Sequence, residues 1–507
     1  MIAIVKSGVL QGVDAFMVDV EVDISHGLPA FNIVGLPDMA VKEAKERVRA
    51  AVNNSDFRFP SKRLTINLAP ADIRKEGPSF DLPIAMATLS ALGLVDSKKL
   101  EDFVITGELS LDGAIRPVNG ILSITVMAKK FGKTRVMVPF ENAHEALLVQ
   151  GLKVIAPSTL KEAVDMINSG NGEYHMIFEH KDIQSEYKPD FSEVRGQEHV
   201  KRALLIAASG GHNVLMIGPP GSGKTMLARR IPSILPPMSL EEAMEVTKIY
   251  SVSGLLNKKN ALITERPFRA PHHTISSAGL IGGGSYPRPG EVSLAHHGVL
   301  FLDELPEFRR DIIELLRQPL EDRKVTIARA LISLTYPADF MLIASMNPCP
   351  CGFYSDTVKP CSCTGSQINN YLKRISGPLL DRFDIHIEVP RIDTNQILSS
   401  MSQDGSNLMR ETVVKARQIQ YKRFFRKSIF NNAAMTGQDV YRHCTMNEDI
   451  RKILKQAMDR LAFSARACHR ILKLSRTIAD LSGRDIISIE DVAEAIQYRS
   501  VVTKFWN

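Results

Sequence analysis

The sequence lacks the segments that direct a protein into a membrane or out of the cell. No apolar run approaches the ~18 residues that are needed to span a bilayer. The N-terminus has no basic region before a long apolar stretch, so no secretory signal peptide is expected. We therefore expect a cytoplasmic protein that has no membrane partner.

Extremes of composition are missing as well. The 507-residue chain is 44% hydrophobic and 23% charged, which is ordinary for a soluble globular protein. It is too long for one hydrophobic core, and its length predicts two or three domains. The net charge of +7 is only mildly basic, so it permits nucleic-acid binding without demonstrating it.

A glycine-rich octet is the most informative segment that is present. Its members are Gly218, Pro219, Pro220, Gly221, Ser222, Gly223, Lys224 and Thr225. The apolar residues 213–217 before it predict a buried strand, and residues 226–231 after it predict a helix. Such a unit directs backbone N–H groups and a helix N-terminus at one point, where phosphate binds. Lys224 would then reach the β- and γ-phosphates of ATP, and the Thr225 hydroxyl would bind Mg²⁺.

Two further predicted strands end in polar residues that suit nucleotide hydrolysis. Residues 299–302 are apolar and are followed by Asp303 and Glu304, at the strand end where ligands bind in a doubly wound sheet. Asp303 suits a Walker B carboxylate on Mg²⁺, and Glu304 is placed to polarise the attacking water. A third strand, residues 340–345, leads to Asn347, which can hydrogen-bond the lytic water or the γ-phosphate.

Two arginines complete a set of five elements. Arg382 lies in a segment, residues 377–384, that resembles the arginine finger of ring ATPases. Such a finger enters the site of the neighbouring subunit and is worth roughly 10³–10⁵ in rate. Arg466 opens a predicted C-terminal helix and resembles the sensor 2 arginine, with Arg470 as the alternative. In this order the elements resemble the AAA+ superfamily, and residues 267–284 correspond to the insertion of its helix-2-insert branch.

The whole chain is similar to the ComM/YifB family, which is also called magnesium chelatase-like. The resemblance implies an α/β fold with three parts. These are an N-terminal Lon-protease-like α/β domain, an AAA+ P-loop domain with a doubly wound parallel sheet and a helix-2 insert, and a C-terminal helical lid. The predicted boundaries are residues 1–170 for the first domain, 171–190 for a linker, 191–394 for the ATPase core and 395–507 for the lid.

The N-terminal part carries the likeness to Lon in residues 74–81 and 107–121. Ser79 matches the nucleophilic serine of the Lon family. Leu122 stands where the lysine that activates this serine is expected, and leucine cannot accept a proton. We therefore expect a structural, oligomerising or substrate-guiding domain rather than a peptidase.

Four of the six cysteines lie in one loop, residues 349–363. They are Cys349, Cys351, Cys361 and Cys363. Two close pairs can supply the four thiolates that Zn²⁺ binds in tetrahedral geometry, although the one-residue gap is tighter than usual. We expect a structural Zn²⁺, with reduced and unliganded cysteines as the alternative, since a cytosolic ATPase disfavours disulfides. The loop follows Asn347 directly, so a metal would brace a strand end used in ATP sensing.

Three groups of residues favour DNA as the substrate. The first lies in or beside the insert and comprises Arg266, Arg269, His272, His273 and Arg288. The second, residues 321–330, resembles the pore hairpin of hexameric helicases, with Lys324 and Arg329 as candidate contacts. The third is a basic stretch with aromatic residues: Lys415, Arg417, Tyr421, Lys422, Arg423, Phe424, Phe425, Arg426 and Lys427. For the third group taken alone, an amphipathic lid helix with buried aromatic residues and solvated charges is the favoured interpretation.

The family resemblance implies a homo-oligomer, a hexameric ring, that hydrolyses ATP and promotes branch migration of DNA in recombination and natural transformation. ATP would lie between subunits, with Arg382 supplied by the neighbour. Two other classes stay open: a factor that remodels proteins, and a magnesium-chelatase-type motor without a DNA substrate. Nothing in the chain resembles a porphyrin site, and Leu122 argues against proteolysis.

Overall fold

The computed structural model divides into two compact units. The N-terminal unit comprises Met1–Asp182 and Leu240–Ile263, and the C-terminal unit comprises Ile183–Ser239 and Thr264–Asn507. The structure describes residues 2–170, 172–174, 189–257, 261–284, 287–329, 332–354, 356, 358–391, 405–425, 427, 429–461 and 463–506. Most of the predicted linker, residues 171–190, therefore lies outside the described residues, and the predicted domain boundaries stay a prediction.

A seven-stranded mixed sheet forms the centre of the N-terminal unit. The strands are β1 (Ile2–Gln11), β2 (Asp14–Ser25), β3 (Ala30–Val34), β4 (Arg63–Ala69), β5 (Phe103–Ile105), β6 (Glu108–Leu109), β7 (Ile115–Arg116), β8 (Arg135–Met137) and β9 (Lys153–Ile155). The helices are α1 (Met39–Asn54), α2 (Asp81–Ala91), α3 (Ser97–Leu100), α4 (Ile121–Lys130), α5 (Ala143–Ala146) and α6 (Leu160–Ser169). The strand order is β3-β4-β2-β1-β5-β8-β9, and β6 pairs with β7 alone.

The C-terminal unit contains a five-stranded sheet, a hairpin and most of the remaining helices. Its strands are β10 (Val214–Ile217), β11 (Phe268–Arg269), β12 (Gly282–Gly283), β13 (Arg288–Pro289), β14 (Val299–Leu302), β15 (Lys324–Arg329), β16 (Ile332–Pro337), β17 (Met341–Met346) and β18 (Ile385–Glu388). The helices that follow α6 are α7 (Glu198–Gly210), α8 (Lys224–Ile234), α9 (Leu240–Ser253), α10 (Ser277–Ile281), α11 (Glu291–Leu294), α12 (Arg310–Glu314), α13 (Arg317–Asp322), α14 (Gly365–Leu372), α15 (Gly377–Leu380), α16 (Ser406–Arg423), α17 (Gly437–His443), α18 (Glu448–Leu461), α19 (Ala465–Leu481) and α20 (Ile489–Trp506). Of these, α9 belongs to the N-terminal unit.

The five-stranded sheet is parallel throughout, in the order β11-β14-β17-β10-β18. Strands β10, β14 and β17 are buried along their whole length, as expected for a sheet covered on both faces. The last five helices, α16 to α20, form a C-terminal helical region. A mixed α/β architecture with a parallel sheet and a helical C-terminus confirms the predicted fold class.

Helix α9 is attached to the N-terminal unit through a buried carboxylate. Glu145 accepts hydrogen bonds from the Leu122 backbone N–H at 2.7 Å and from the Ser251 hydroxyl of α9. Burial raises the pKa of Glu145, whereas these hydrogen bonds lower it. Helix α9 lies inside the predicted core range, residues 191–394, but it belongs to the N-terminal unit. Sequence patterns give no sign of this, because the link between Ser251 and Glu145 joins residues far apart in the sequence.

No helix among the described residues is both long enough and apolar enough to cross a bilayer.

A buried ion pair joins α1 to α2 in the N-terminal unit. Arg47 donates to the two carboxylate oxygens of Asp81 at 2.7 and 3.0 Å. The Asp81 side chain is fully buried, so desolvation raises the pKa of its carboxyl group against the opposing effect of Arg47. The pair therefore compensates for a buried charge that has no access to water.

We expect Arg47→Ala to destabilise the N-terminal unit by ~3–5 kcal/mol, because it leaves the Asp81 carboxylate buried without its cation. Denaturant-dependent hydrogen exchange of peptides from α2 measures this change. The control is Lys161→Ala, which removes the exposed partner of the exposed Asp56 and should leave exchange in α2 unaltered. Equal protection of α2 in both variants would contradict the proposed role of the pair.

Candidate nucleotide site and cysteine cluster

The predicted phosphate loop connects β10 to α8. Helix α8 begins at Lys224, two residues earlier than predicted, and Gly223 occupies its N-cap with φ of 88°. That left-handed conformation favours glycine. At the other end of the loop, a Cβ on Gly218 would lie 2.1 Å from the Val389 carbonyl oxygen. Both glycines are therefore required by the backbone path that directs the loop N–H groups at one point.

Lys224 turns its amine back into the loop. The Nζ donates to the carbonyl oxygens of Gly218 and Pro219 at 2.8 and 2.9 Å, and to the Asn347 side-chain oxygen at 3.3 Å. Burial lowers the pKa of this amine to about 8, although the nearby Asp303 and Glu304 carboxylates raise it. The amine and Asn347 are thus in direct contact.

Asp303 lies opposite the start of α8. One of its oxygens accepts from the Thr225 hydroxyl at 2.7 Å, and the other accepts from the Ser345 hydroxyl. Oxygen ligands of this kind suit Mg²⁺, so Thr225 and Asp303 can hold a magnesium ion that is also bound by nucleotide phosphates. Ser345 was not predicted, because a serine inside a buried strand carries no motif.

Glu304 follows Asp303 with an exposed side chain and φ of 53°. A left-handed conformation is uncommon for a residue other than glycine and often marks a functional site. The Glu304 N–H donates to the Ser345 hydroxyl at 3.3 Å, which fixes the turn. The exposed carboxylate can therefore act on a water molecule at this edge of the sheet.

Asn347 interacts with residues on two sides. Its side chain accepts from Lys224, and its backbone lowers the pKa of the Tyr371 hydroxyl on α14. Burial raises the pKa of Tyr371. The contact with Tyr371 joins residues far apart in the sequence, and a lone tyrosine on a helix gives no signal by which it could have been predicted.

Arg382 lies at the opposite end of the sheet from the phosphate loop. Its backbone carbonyl accepts from the side chain of Asn213, which directly precedes β10, whereas Gly218 directly follows β10. The five residue steps from Asn213 to Gly218, along extended backbone, span about 16 Å. The Arg382 side chain is only 5% exposed and is paired with Glu321, and it also donates to the Pro378 carbonyl at 2.7 Å.

Arg466 is grouped with Arg382 rather than with the phosphate loop. Desolvation lowers the pKa of Arg382, and the positive charges of Arg317, Arg470 and Arg466 lower it further. Arg466 itself is exposed at the first turn of α19, which Ser464 caps by accepting from the Ala467 N–H at 3.2 Å. The predicted sensor 2 arginine and its alternative, Arg470, thus share one cationic region.

Asp384 fixes this region to the sheet. It pairs with Arg470 of α19 and with the His212 Nδ1 at 3.2 Å, and the other ring nitrogen of His212 lies 2.8 Å from the Thr477 hydroxyl. Burial would raise the pKa of Asp384, but Arg470 and His212 hold it well below its usual range. Because Arg470 also donates to the Arg382 carbonyl, α19 and the Arg382 segment are joined.

The four predicted cysteines come together. The Sγ atoms of Cys349, Cys351 and Cys361 are 3.4 to 3.7 Å apart, and the ligand atoms of all four lie within 4.8 Å of one another. None forms a disulfide. Although desolvation raises the pKa of Cys351, hydrogen bonds from backbone N–H groups, including that of Phe353, lower it to about 5. The cluster can therefore hold a metal ion.

Several basic residues predicted to contact DNA have internal partners instead. Arg266 donates to the backbone carbonyls of Pro236 and His297 at 2.6 and 2.7 Å, and Arg269 pairs with Glu291 at 2.6 Å. These guanidinium groups sit close to backbone and carboxylate acceptors, so they hold the insert together. His272 and Arg288 are exposed and His273 is half-buried.

The third predicted DNA group is largely structural too. Arg417 donates to the Ala208 carbonyl at 3.0 Å, Arg423 pairs with Asp480 at 2.7 Å, and Lys427 pairs with Asp439. Phe424 is buried. Arg417 and Arg423 lie on α16 and bind acceptors elsewhere in the chain, which agrees with the alternative of an amphipathic lid helix. The exposed members are Lys415, Tyr421, Lys422, Phe425 and Lys427, and Arg426 lies outside the described residues.

A hairpin is present at the segment that resembles the helicase pore hairpin. Its strands β15 and β16 pair antiparallel from Lys324 opposite Pro337 to Arg329 opposite Ile332. Lys324 is exposed at the base of the hairpin. Arg329 lies at the tip, and its side chain is outside the described residues.

Ser79 and Leu122 occupy their places in the Lon-like region without a proton acceptor at the second position. Leu122 is fully buried in α4, and its N–H donates to Glu145. Ser79 is half-buried, and its carbonyl accepts from the Gly107 N–H at 3.0 Å.

Three family descriptions match successive parts of the chain. "Subunit ChlI of Mg-chelatase" matches residues 20–142, "Magnesium chelatase, subunit ChlI" matches residues 190–397, and "Magnesium chelatase, subunit ChlI C-terminal" matches residues 403–499. Together with the parallel sheet and the phosphate loop, they define an AAA+ ATPase of the magnesium chelatase type, an enzyme that hydrolyses ATP. AAA+ proteins generally form oligomers.

Full-length relatives define the family further. The chain is 44% identical over 508 residues to the competence protein ComM of Haemophilus influenzae, covering 99% of this chain and 98% of that protein. It is 42% identical to YifB of Escherichia coli, with 99% and 97% coverage. Lon protease 2 of Bacillus subtilis is 33% identical over 189 residues, which is 32% of this chain and 33% of that protein. The chain belongs to the ComM/YifB family, and its N-terminal part is Lon-like.

We expect ATP binding above pH 8 to take up a proton at Lys224. Burial lowers the pKa of the unliganded amine to about 8, so its charge is lost as the pH rises through that value. A bound phosphate favours the charged form and restores the proton, and affinity should weaken as the pH rises. Calorimetry at about pH 8.5 in two buffers of different ionisation enthalpy measures the uptake.

The matched variant for this measurement is Lys224→Arg, which keeps its charge at this pH because the guanidinium is always protonated. It should bind with no buffer-dependent heat. The same proton uptake in both proteins would show that another group titrates.

Proposed function

We propose that the protein is a ring-forming ATPase that moves branched DNA, acting as a helicase or branch-migration motor in recombination and natural transformation. The supporting observation is the β15–β16 hairpin. In the sequence it lies between β14, which Asp303 follows, and β17, which Asn347 follows. The name of the Haemophilus influenzae relative, a competence protein, supports the same substrate.

The hairpin and the insert are packed together, which favours a common role. Val325 and Ile327 face inward, and Ile327 reaches so close to Gly282 of β12 that a Cβ there would lie 2.6 Å from its Cδ1. The Tyr336 hydroxyl donates to the Pro287 carbonyl at 2.6 Å. The outward positions of this assembly include the exposed cations Lys324 and Arg288. We propose that they contact the phosphates of DNA inside the ring.

ATP with Mg²⁺ is the proposed ligand of the phosphate loop. Residues 218–225 would enclose the phosphates, Lys224 would contact the β- and γ-phosphates, and Thr225 and Asp303 would hold the metal. Glu304 would activate water and Asn347 would orient it, because both follow strands that end at this edge.

Arg382 and Arg466 are proposed to act on the ATP of the neighbouring subunit. The support is their location, because the start of β10 is about 16 Å from the loop at its end. Arg382 would have to exchange Glu321 for phosphate on assembly, whereas Arg466 is already exposed. A hexamer would place each arginine group against the next phosphate loop.

Zn²⁺ is the proposed metal of the cysteine cluster, since four thiolates in a compact group suit zinc. The Lon-like unit is proposed to serve assembly or substrate guidance, because Leu122 cannot activate Ser79. The proposed domains are residues 1–170, 191–394 and 395–507, in a cytoplasmic protein, and the segment Leu240–Ile263 of the second range packs in the N-terminal unit.

We expect ATP turnover to rise most with a four-way junction, less with single strands or duplex. Lys324→Ala should reduce that stimulation and lower the slope of log affinity against log salt by about one, because one phosphate contact is lost. Turnover is measured with each DNA, and junction binding is measured by fluorescence anisotropy over a salt series.

Two variants serve as controls. Glu304→Gln should bind ATP without hydrolysing it and provides the blank, and Lys98→Ala removes an exposed lysine of α3 in the N-terminal unit. A rate of ATP turnover that does not change with any of these DNAs would contradict the DNA proposal and favour a protein substrate.

A further inference from the structure

The cysteine loop is fastened directly to the phosphate loop. It follows β17, with Cys349 two residues beyond Asn347, and ends at Thr364, the N-cap of α14. Within it, Gly352 has φ of 84°, and a Cβ there would lie 2.6 Å from Pro220 Cδ and 3.8 Å from Asn347 Cγ. The turn at Gly352 therefore lies directly against Pro220 of the phosphate loop. Its positive φ and the lack of room for a Cβ favour glycine at this position.

Distances within the cluster agree with one tetrahedral metal ion. Zn–S bonds of ~2.3 Å place sulfur atoms ~3.8 Å apart at the corners of a tetrahedron. The Sγ atoms of Cys349, Cys351 and Cys361 are 3.4 to 3.7 Å apart, and the Sγ of Cys363 lies within 4.8 Å of all three. Backbone N–H groups also point at the sulfur atoms, from Tyr354 to Cys349 at 3.3 Å and from Cys351 to Cys363 at 3.4 Å. Such donors commonly surround metal-bound ligands.

A second attachment joins the loop to the segment after β18. Arg391 pairs with Asp356 at 2.8 Å and lies over the ring of Phe353, 5.4 Å from its centroid. Next to Arg391, the Pro390 carbonyl accepts from Gln197, whose amide also donates to Ser222 of the phosphate loop at 2.9 Å. The cysteine loop is thus connected to Ser222 of the phosphate loop through Arg391, Pro390 and Gln197.

We propose that the metal ion in the cysteine cluster sets the position of the phosphate loop and Asn347, with Gly352 as the positioning residue, so that ATP turnover depends on the metal. The inference rests on the proposed roles of the phosphate loop and of zinc. Without the ion, four sulfur atoms at these separations lose the bond that holds the two ends of the loop together. Gly352 would then no longer support Pro220.

The first test substitutes Gly352→Ala in the full chain and follows zinc content by mass spectrometry, and kcat and KM for ATP without DNA. We expect about one zinc ion per chain to remain while kcat falls ~10-fold or more, since a small misplacement of reacting groups is costly. KM should change less than kcat. The matched control is Gly483→Ala, because Gly483 has a similar φ of 66° but open space around its Cβ. Equal kcat in the two variants would overturn the inference.

The second test removes the metal. Cys351→Ser combined with Cys361→Ser should lose zinc and lower kcat, whereas Cys468→Ser, outside the cluster, should do neither. Loss of zinc with unchanged kcat would also overturn the inference. Purified protein without zinc would instead refute zinc as the metal of the cluster. ATP turnover that is indifferent to DNA would refute the proposed DNA motor. Neither result depends on Gly352→Ala, which tests only whether the cysteine loop positions the phosphate loop.

Discussion

The hydrogen bond from the Thr225 hydroxyl to Asp303 joins the start of α8, which follows β10, to the end of β14. Strand β17 lies between β10 and β14 in the sheet. This hydrogen bond exists because β10, β14 and β17 run parallel, so their carboxyl ends meet at one edge of the sheet. The contact between Lys224 and Asn347 depends on the same alignment. Reversing any of these strands would separate the phosphate loop from the acidic residues and from Asn347. Parallel pairing is therefore the constraint on which the ATP site depends.

The amino ends of β10 and β18 lie beside a group of arginines. Asp384, which directly precedes β18, is buried there and joins Arg470, His212 and, through the histidine, Thr477. The loop that is proposed to bind nucleotide phosphates thus lies at the carboxyl ends of the strands, and the amino ends present a cationic region that includes Arg382 and the exposed Arg466. A molecule with these two ends is suited to head-to-tail assembly, in which each copy completes the site of the next.

Local patterns made the chemistry of the site accessible from sequence. The strand ahead of Asp303 was predicted to the residue, and the strand ahead of Asn347 was displaced by one, because short apolar runs bounded by polar residues define a buried strand. Ser345, Tyr371 and Glu321 could not be predicted, since each acts through contacts between distant segments. For the same reason composition suggested DNA contacts for Arg417 and Arg423, whose partners lie elsewhere in the chain.

Mixing two inactive variants tests most directly whether the arginines complete a neighbour's site. Arg382→Ala and Glu304→Gln damage different halves of the proposed interface. The account predicts that each alone is inactive and that a 1:1 mixture regains up to about a quarter of wild-type turnover, since about one interface in four then combines the two intact halves. A mixture that stays inactive, although mixed rings are shown to form, would contradict the account and place Arg382 in the site of its own subunit.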